Sequence, residues 1–141
     1  MNRTGRYLLA IHALTRRGTS PIRTKAVAEE LDRSQAAVTE KFKRLDDAGL
    51  VAYEPYRGVT LTEAGRSRAV TTRRVYAIVL WFYRSVLKID SCEAEAMKVA
   101  EALGPSAANR LTEVVPSGVY STVSIEDVPL AVPRDETLEG V

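Results

Sequence analysis

Between Thr24 and Leu45 two helical patterns lie end to end with four polar residues between them, and that spacing constrains the fold more than any other feature. Thr24, a hydroxyl residue suited to capping a helix, opens a segment that puts Val27, Ala28 and Leu31 on one face. Asp32-Arg33-Ser34-Gln35 follows, and then a second pattern with Ala37, Val38, Phe42 and Leu45 inward and Ser34 as its expected N-cap. Two short helices joined by such a turn form a helix-turn-helix unit, whose second helix can enter the DNA major groove.

In this reading Ser34 to Leu45 is the recognition helix, with Ser34, Gln35, Ala36, Thr39, Glu40, Lys41, Lys43 and Arg44 facing outward. Small residues at its start let the backbone approach the groove. Gln35 and Thr39 offer hydrogen bonds to base edges, while Lys41, Lys43 and Arg44 can neutralise phosphates. Asp46 to Gly49 supplies a stop, and Leu50-Val51-Ala52-Tyr53 and Val59-Thr60-Leu61-Thr62 read as two strands around a turn at Pro55 to Gly58. That hairpin is a wing carrying Tyr56 and Arg57 at its tip, placed to lie on the backbone or in the minor groove.

Charge divides the chain where the net value of +2 does not. Residues 1–74 carry 15 Lys+Arg against 8 Asp+Glu, or +7, and residues 75–141 carry 5 against 10, or −5. A basic first half fits a polyanion, and an acidic second half fits a part kept away from it. One cysteine excludes an internal disulfide and suits a reducing cytosol. No signal peptide is read, and the most apolar run, Val75 to Tyr83, is too short to span a bilayer, so a cytoplasmic protein away from membranes is expected.

Upstream, TGRYLLAIHALTRR over residues 4–17 reads as a first helix, with the sole histidine, His12, packed among apolar residues. From Met1 to Ala28 there are six basic residues and no acidic one. Downstream, Gly65 is read as the end of the wing, and a long helix starts near Ala64 or Ser67 and runs toward Lys88. Its first part, with Arg66, Arg68, Arg73 and Arg74, is basic and near the DNA-binding domain. Its second part, VYAIVLWFYRSVL, is apolar nearly all round, and a second subunit is expected to bury it through Val79, Leu80, Trp81 and Tyr83. Cys92 to Leu103 forms a further helix, and Ser106 is read as the cap of a last one reaching Glu113. The fold class is therefore mainly α: a winged helix-turn-helix over residues 1–66, a helical dimerisation domain over 67–113, and a tail over 114–141 with a β-prone patch at Val119 to Ile125.

The order of parts and the signatures YLLAIHAL, AVAEELDRSQAAVTEKFKRLDDAGLV and YEPYRGVTLTEAG resemble the metal-dependent repressors of the DtxR/MntR family over roughly Arg6 to Leu111. The resemblance implies a homodimeric transcription regulator whose winged domain binds palindromic double-stranded operators and whose second domain dimerises and holds a sensing metal. The third, SH3-like domain of longer members is not expected, since about thirty residues follow the helices.

On the resemblance, the metal-ligand positions correspond to Arg6, Leu9, Tyr76, Met97, Ala100 and Glu101. Manganese or iron(II) wants several oxygen and nitrogen donors around one point, and only Glu101 is an ordinary ligand of that kind. The expected regulator, a repressor, therefore has no metal cofactor, and the alternative is a repressor that still answers to manganese or iron(II). Arg6 and Glu101, on opposite sides of the family's site, could form a guanidinium–carboxylate pair in place of the ion. A relocated metal or redox site at Asp90, Cys92, Glu93 and Glu95 is a second possibility, although charges at a helix start usually serve capping and solvation. From another functional class, a winged-helix protein-interaction module without DNA binding remains open. No enzyme is expected: there is no paired-carboxylate site, no Ser/His/Asp constellation and no Gly-rich phosphate loop.

Overall fold

A computed structural model describes residues 3–18 and 20–132. Its elements run α1 (Thr4–Arg17), α2 (Thr24–Leu31), α3 (Gln35–Asp47), β1 (Val51–Glu54), β2 (Gly58–Leu61), α4 (Glu63–Ser85), α5 (Glu93–Ala102), α6 (Pro105–Val114), α7 (Ser117–Tyr120) and a 3-10 turn at Ile125–Asp127. The mainly helical class and the small antiparallel wing follow the sequence pattern closely.

Local chemistry sets most of the boundaries. Ser34 caps α3 by accepting from the Ala37 N–H at 3.1 Å, a contact worth about 1 kcal/mol. Thr24 does not cap α2: the cap position falls on Arg23, whose carbonyl accepts from Ala26 and Val27. The reason lies one residue upstream, where Ile22 and Val59 exchange both backbone hydrogen bonds at 2.8 Å, holding the chain extended up to Arg23. Ser106 is not a cap either, because Gly104 takes that place and Pro105 opens α6, where its missing N–H costs nothing.

Strands β1 and β2 pair with Val51 opposite Leu61 and Glu54 opposite Gly58. Gly58 has φ +127°, and a Cβ there would lie 2.3 Å from the Ile22 carbonyl oxygen, so the wing can meet the strand-like entry to α2 only through a glycine. Gly65 is not the end of the wing. It sits inside the first turn of α4, donating its N–H to Thr62 Oγ1, and a side chain would collide with the Leu50 carbonyl oxygen. Wing and long helix are thus welded at one capped corner, and the expected domain boundary near residue 66 falls within α4.

At 23 residues, α4 is about 35 Å long and serves as the spine. Helices α1, α5, α6 and α7 all pack on it, and one cluster of buried side chains runs from Tyr7 through Phe42, Val75, Tyr76 and Met97 to Val132. Val79 and Leu80, expected to be covered by a second subunit, are buried within this one. Periodicity marked them as apolar without saying what covers them.

The segment after α6 also departs from expectation. Val119 to Ile125 forms no strand; the residues there make α7 and a loop that folds back over the spine. Arg73 donates to the Val123 carbonyl at 3.0 Å and Arg74 lies over the Tyr120 ring, so these two arginines help hold the C-terminal segment. The chain then crosses to the first half, burying Ile125, Val128, Leu130 and Val132, and the Val132 N–H reaches the Leu31 carbonyl at 2.9 Å. Residues 133–141, the rest of the expected tail, lie outside the described residues.

Candidate nucleic-acid interface

Helix α3 buries Val38, Phe42 and Leu45, and this stripe decides which side chains remain outside. Phe42 packs on Tyr53 of β1 with ring centroids 5.6 Å apart, locking the helix to the wing. The backbone N–H of Tyr53 adds a hydrogen bond to Asp46 Oδ2 at 2.8 Å. Ser34, Gln35, Ala36, Glu40, Lys43 and Arg44 are exposed, and Thr39 is half-buried.

Lys41 is different. Its ammonium turns back to donate to Thr4 Oγ1 at 3.2 Å, and burial, followed by repulsion from Arg44 and Arg68, lowers its pKa. It is a half-buried cation joining α3 to α1.

Across from α3, the wing presents Tyr56 fully exposed at φ +70°, a left-handed conformation uncommon for an aromatic residue. Such local strain at an exposed tip is a pointer to function. Arg57 follows it, also exposed.

Between α3 and the wing runs a groove of about 560 Å³. Gln35, Thr39 and Lys43 form one wall, Tyr56 and Arg57 the other, and Arg23 and Lys25 the end. Four cations line it and no carboxylate does. Such a surface attracts an extended polyanion and sets hydrogen-bonding groups, Gln35 and Thr39, among its cations. Arg23 and Lys25 were missing from the residues picked out by sequence. The signal for them was the acid-free stretch before Ala28, but their place beside the wing depends on the non-local Ile22–Val59 pairing.

None of the six positions that correspond to metal ligands in the resembling family lines this groove. Arg6, Leu9, Tyr76, Met97, Ala100 and Glu101 are all buried. Arg6 and Glu101 do form a bidentate pair, Nε to Oε2 at 2.9 Å and Nη2 to Oε1 at 2.7 Å. The Tyr76 hydroxyl is buried without a hydrogen-bond partner among the described residues, and desolvation, then the nearby Glu93, pushes its pKa up to about 12. A neutral phenol, a thioether and a carboxylate already taken by a guanidinium do not fit a divalent ion. Among the described residues no group of three or more His, Cys, Asp or Glu could hold one.

The acidic start of α5 offers no replacement. Glu93 pairs with Arg84 at 2.7 Å and Glu95 accepts from the Tyr83 hydroxyl. Cys92 is buried with its thiol directed at the Ile89 carbonyl, away from solvent oxidants. No helix among the described residues is long and apolar enough to cross a membrane.

Comparison with known proteins agrees with this geometry. Residues 1–59 match the family model of the iron dependent repressor, N-terminal DNA binding domain. The chain is 35% identical over 107 residues to an uncharacterised HTH-type transcriptional regulator of Methanocaldococcus jannaschii, covering 74% of this chain and 86% of that protein. Similarity to the diphtheria toxin repressor of Corynebacterium glutamicum is 28% over 114 residues, covering 79% of this chain and 50% of the repressor, so this chain spans about half that protein's length. Among solved structures it resembles the manganese regulator SloR, with a TM-score of 0.64 and 26% identity over 80% of this chain and 53% of that one. These matches, set against the missing ligand cluster, show that the chain belongs to the DtxR/MntR family of iron- and manganese-dependent repressors as a member without an intact metal centre among its described residues.

Proposed function

We propose that the chain is a sequence-specific transcription repressor that binds a two-fold symmetric DNA site as a homodimer. The observation that carries this reading is the acid-free groove between α3 and the wing, where Arg23, Lys25, Lys43 and Arg57 surround Gln35 and Thr39. Cations at the rim would take the phosphates, Gln35 and Thr39 would face base edges, and Tyr56 would rest on the sugar-phosphate backbone.

The second copy is supported by the end of α4 and the loop after it. Trp81 and Phe82 are 42% and 44% exposed, and Val86, Leu87 and Ile89 extend the same uncovered surface. A patch of large apolar side chains at one end of the spine is a poor surface for a monomer in water. Pairing two copies there would present two grooves at once, which matches the two half-sites of a palindrome. Trp81 stays in the proposed interface and Phe82, Val86, Leu87 and Ile89 join it. Val79 and Leu80 leave it, and Tyr83 is half-buried against Glu95 of its own chain.

Family membership makes this a regulator rather than an enzyme. The interaction-module reading draws no support from the groove: its lining holds four cations and no carboxylate, and Glu40, 3.9 Å from Lys43, lies outside that lining, a charge pattern that suits a polyanion. Selection of bound duplexes from a random pool, followed by titration at rising salt, tests the proposal. With about eight phosphates neutralised by the dimer, log K should fall against log salt with a slope near −7. A salt-insensitive interaction, or selected duplexes without two-fold symmetry, would sink it.

A further inference from the structure

The contacts of Arg6 reach beyond its carboxylate. Its Nη1 donates to the Ala131 carbonyl at 2.7 Å and to the Leu130 carbonyl at 3.3 Å, while Nε and Nη2 hold Glu101. One guanidinium, 2% exposed, thus joins α1 of the DNA-reading half, α5 of the second half and the returning C-terminal segment. The next residue in that segment, Val132, bonds the Leu31 carbonyl, at the lip of the turn leading into α3. A continuous set of contacts therefore runs from Glu101 through Arg6 and residues 130–132 to the helix-turn-helix itself. None of those residues lines the cationic groove, so the strap does not obstruct DNA.

We propose that Arg6 is the resident cation of this junction. With Glu101 and the carbonyls of residues 130 and 131 as its ligands, it holds the recognition helix at a set angle to the dimerising helices, and operator binding needs no divalent metal. A dimer reads two half-sites only if that angle is kept, because their spacing along the duplex is set by geometry. Arginine can serve where lysine cannot: a planar fork satisfies a carboxylate with two donors and still sends a third nitrogen to the strap. Arg6 is a positioning residue, acting through α1 and the strap on a helix it does not touch. The strap is part of the same device, since without residues 128–132 the Nη1 donors lose both acceptors and Leu31 loses its bond.

This inference rests on the DNA-binding reading above, and one set of titrations separates the two. Full-length protein, Arg6→Gln, Glu101→Gln and a chain ending at Asp127 are titrated against a selected palindrome and an unrelated duplex, with chelator or with manganese chloride. Wild-type affinity for the palindrome should agree within about twofold between chelator and manganese, whereas Arg6→Gln and the shortened chain should each lose about tenfold. Affinity for the unrelated duplex, which needs only the groove, should stay unchanged in all four, a split that general unfolding would not produce. If Arg6→Gln fails to fold, the Arg6→Leu/Glu101→Leu double variant removes both charges without stranding either. It should show the same selective loss. Manganese strengthening the wild type tenfold, or variants that bind the palindrome as wild type does, would overturn the inference while leaving DNA binding intact. A wild type that ignores every duplex at low salt would overturn both.

Discussion

The groove and the junction use the same residue in opposite ways. Arg57 stands exposed on the wing with its backbone N–H bonding the Glu54 carbonyl, and Arg23 lies exposed at the end of the groove, neither side chain having a partner among the described residues. Arg6 is enclosed and spends four donor contacts on protein oxygens. An exposed cation costs little to keep and interacts weakly until a polyanion arrives, so its contribution appears in binding. A buried cation is expensive to desolvate and persists only because its partners are complete, so its contribution appears in the fold. The difference teaches that net charge by itself says nothing about role; the number of satisfied donors does.

The largest effect expected from that contrast is on stability. Arg6→Ala leaves Glu101 buried without its main counter-charge, and a loss of about 3–5 kcal/mol is expected in urea unfolding. Arg57→Ala in the same assay should change stability by less than about 0.5 kcal/mol. Equal losses at both positions would erase the comparison.

A related contrast divides α4, and its effect is smaller. Leu80 faces the core and Phe82, two residues on, faces out. Phe82→Glu is expected to leave the folded subunit intact and to weaken self-association by at least about 2 kcal/mol, measured by sedimentation equilibrium. An unaltered dimer would move the proposed interface elsewhere.

Binding gives the third test. Arg57→Ala removes one phosphate contact from each subunit, and the salt slope of the dimer should become shallower by about 1.8. Preference among sequences should stay the same, because a phosphate contact carries no base identity. The slope for Arg6→Gln on an unrelated duplex should not change at all, which sharpens the division between the two arginines.

How much of this was readable beforehand depends on how far apart in the chain the causes lie. Helices α1, α2 and α3 and the wing were legible because apolar spacing, Ser34 and the Gly58 turn act within a few residues of one another. The partners of Arg6 were not, since 95 to 125 residues separate it from them and no local pattern encodes a strap returning from Val128. Glu101 could be paired with it only through resemblance to a family that places an ion there. The inward turn of Lys41 had no signal either. Its helical position points outward, and only Thr4 at the start of α1, brought in by tertiary packing, draws the ammonium back.

His12 supplies the smallest effect and the one most specific to the basic half. It is half-buried on α1, and desolvation first, then Arg16, Arg66 and Arg73, lower its pKa from 6.5. The folded protein therefore takes up the imidazole proton less readily than the unfolded chain does. Full stability is present above pH 6.5, and it is lost as the pH falls through that value until the lowered folded pKa is reached. With no second histidine in the chain, this window belongs to one side chain. His12→Gln should flatten the change in thermal midpoint between about pH 7.5 and about pH 5.5, before the carboxylates begin to titrate. A variant that keeps the wild-type slope there would show that the cations around α1 impose no penalty on a further charge, and that the basic half is better screened than its arginines suggest.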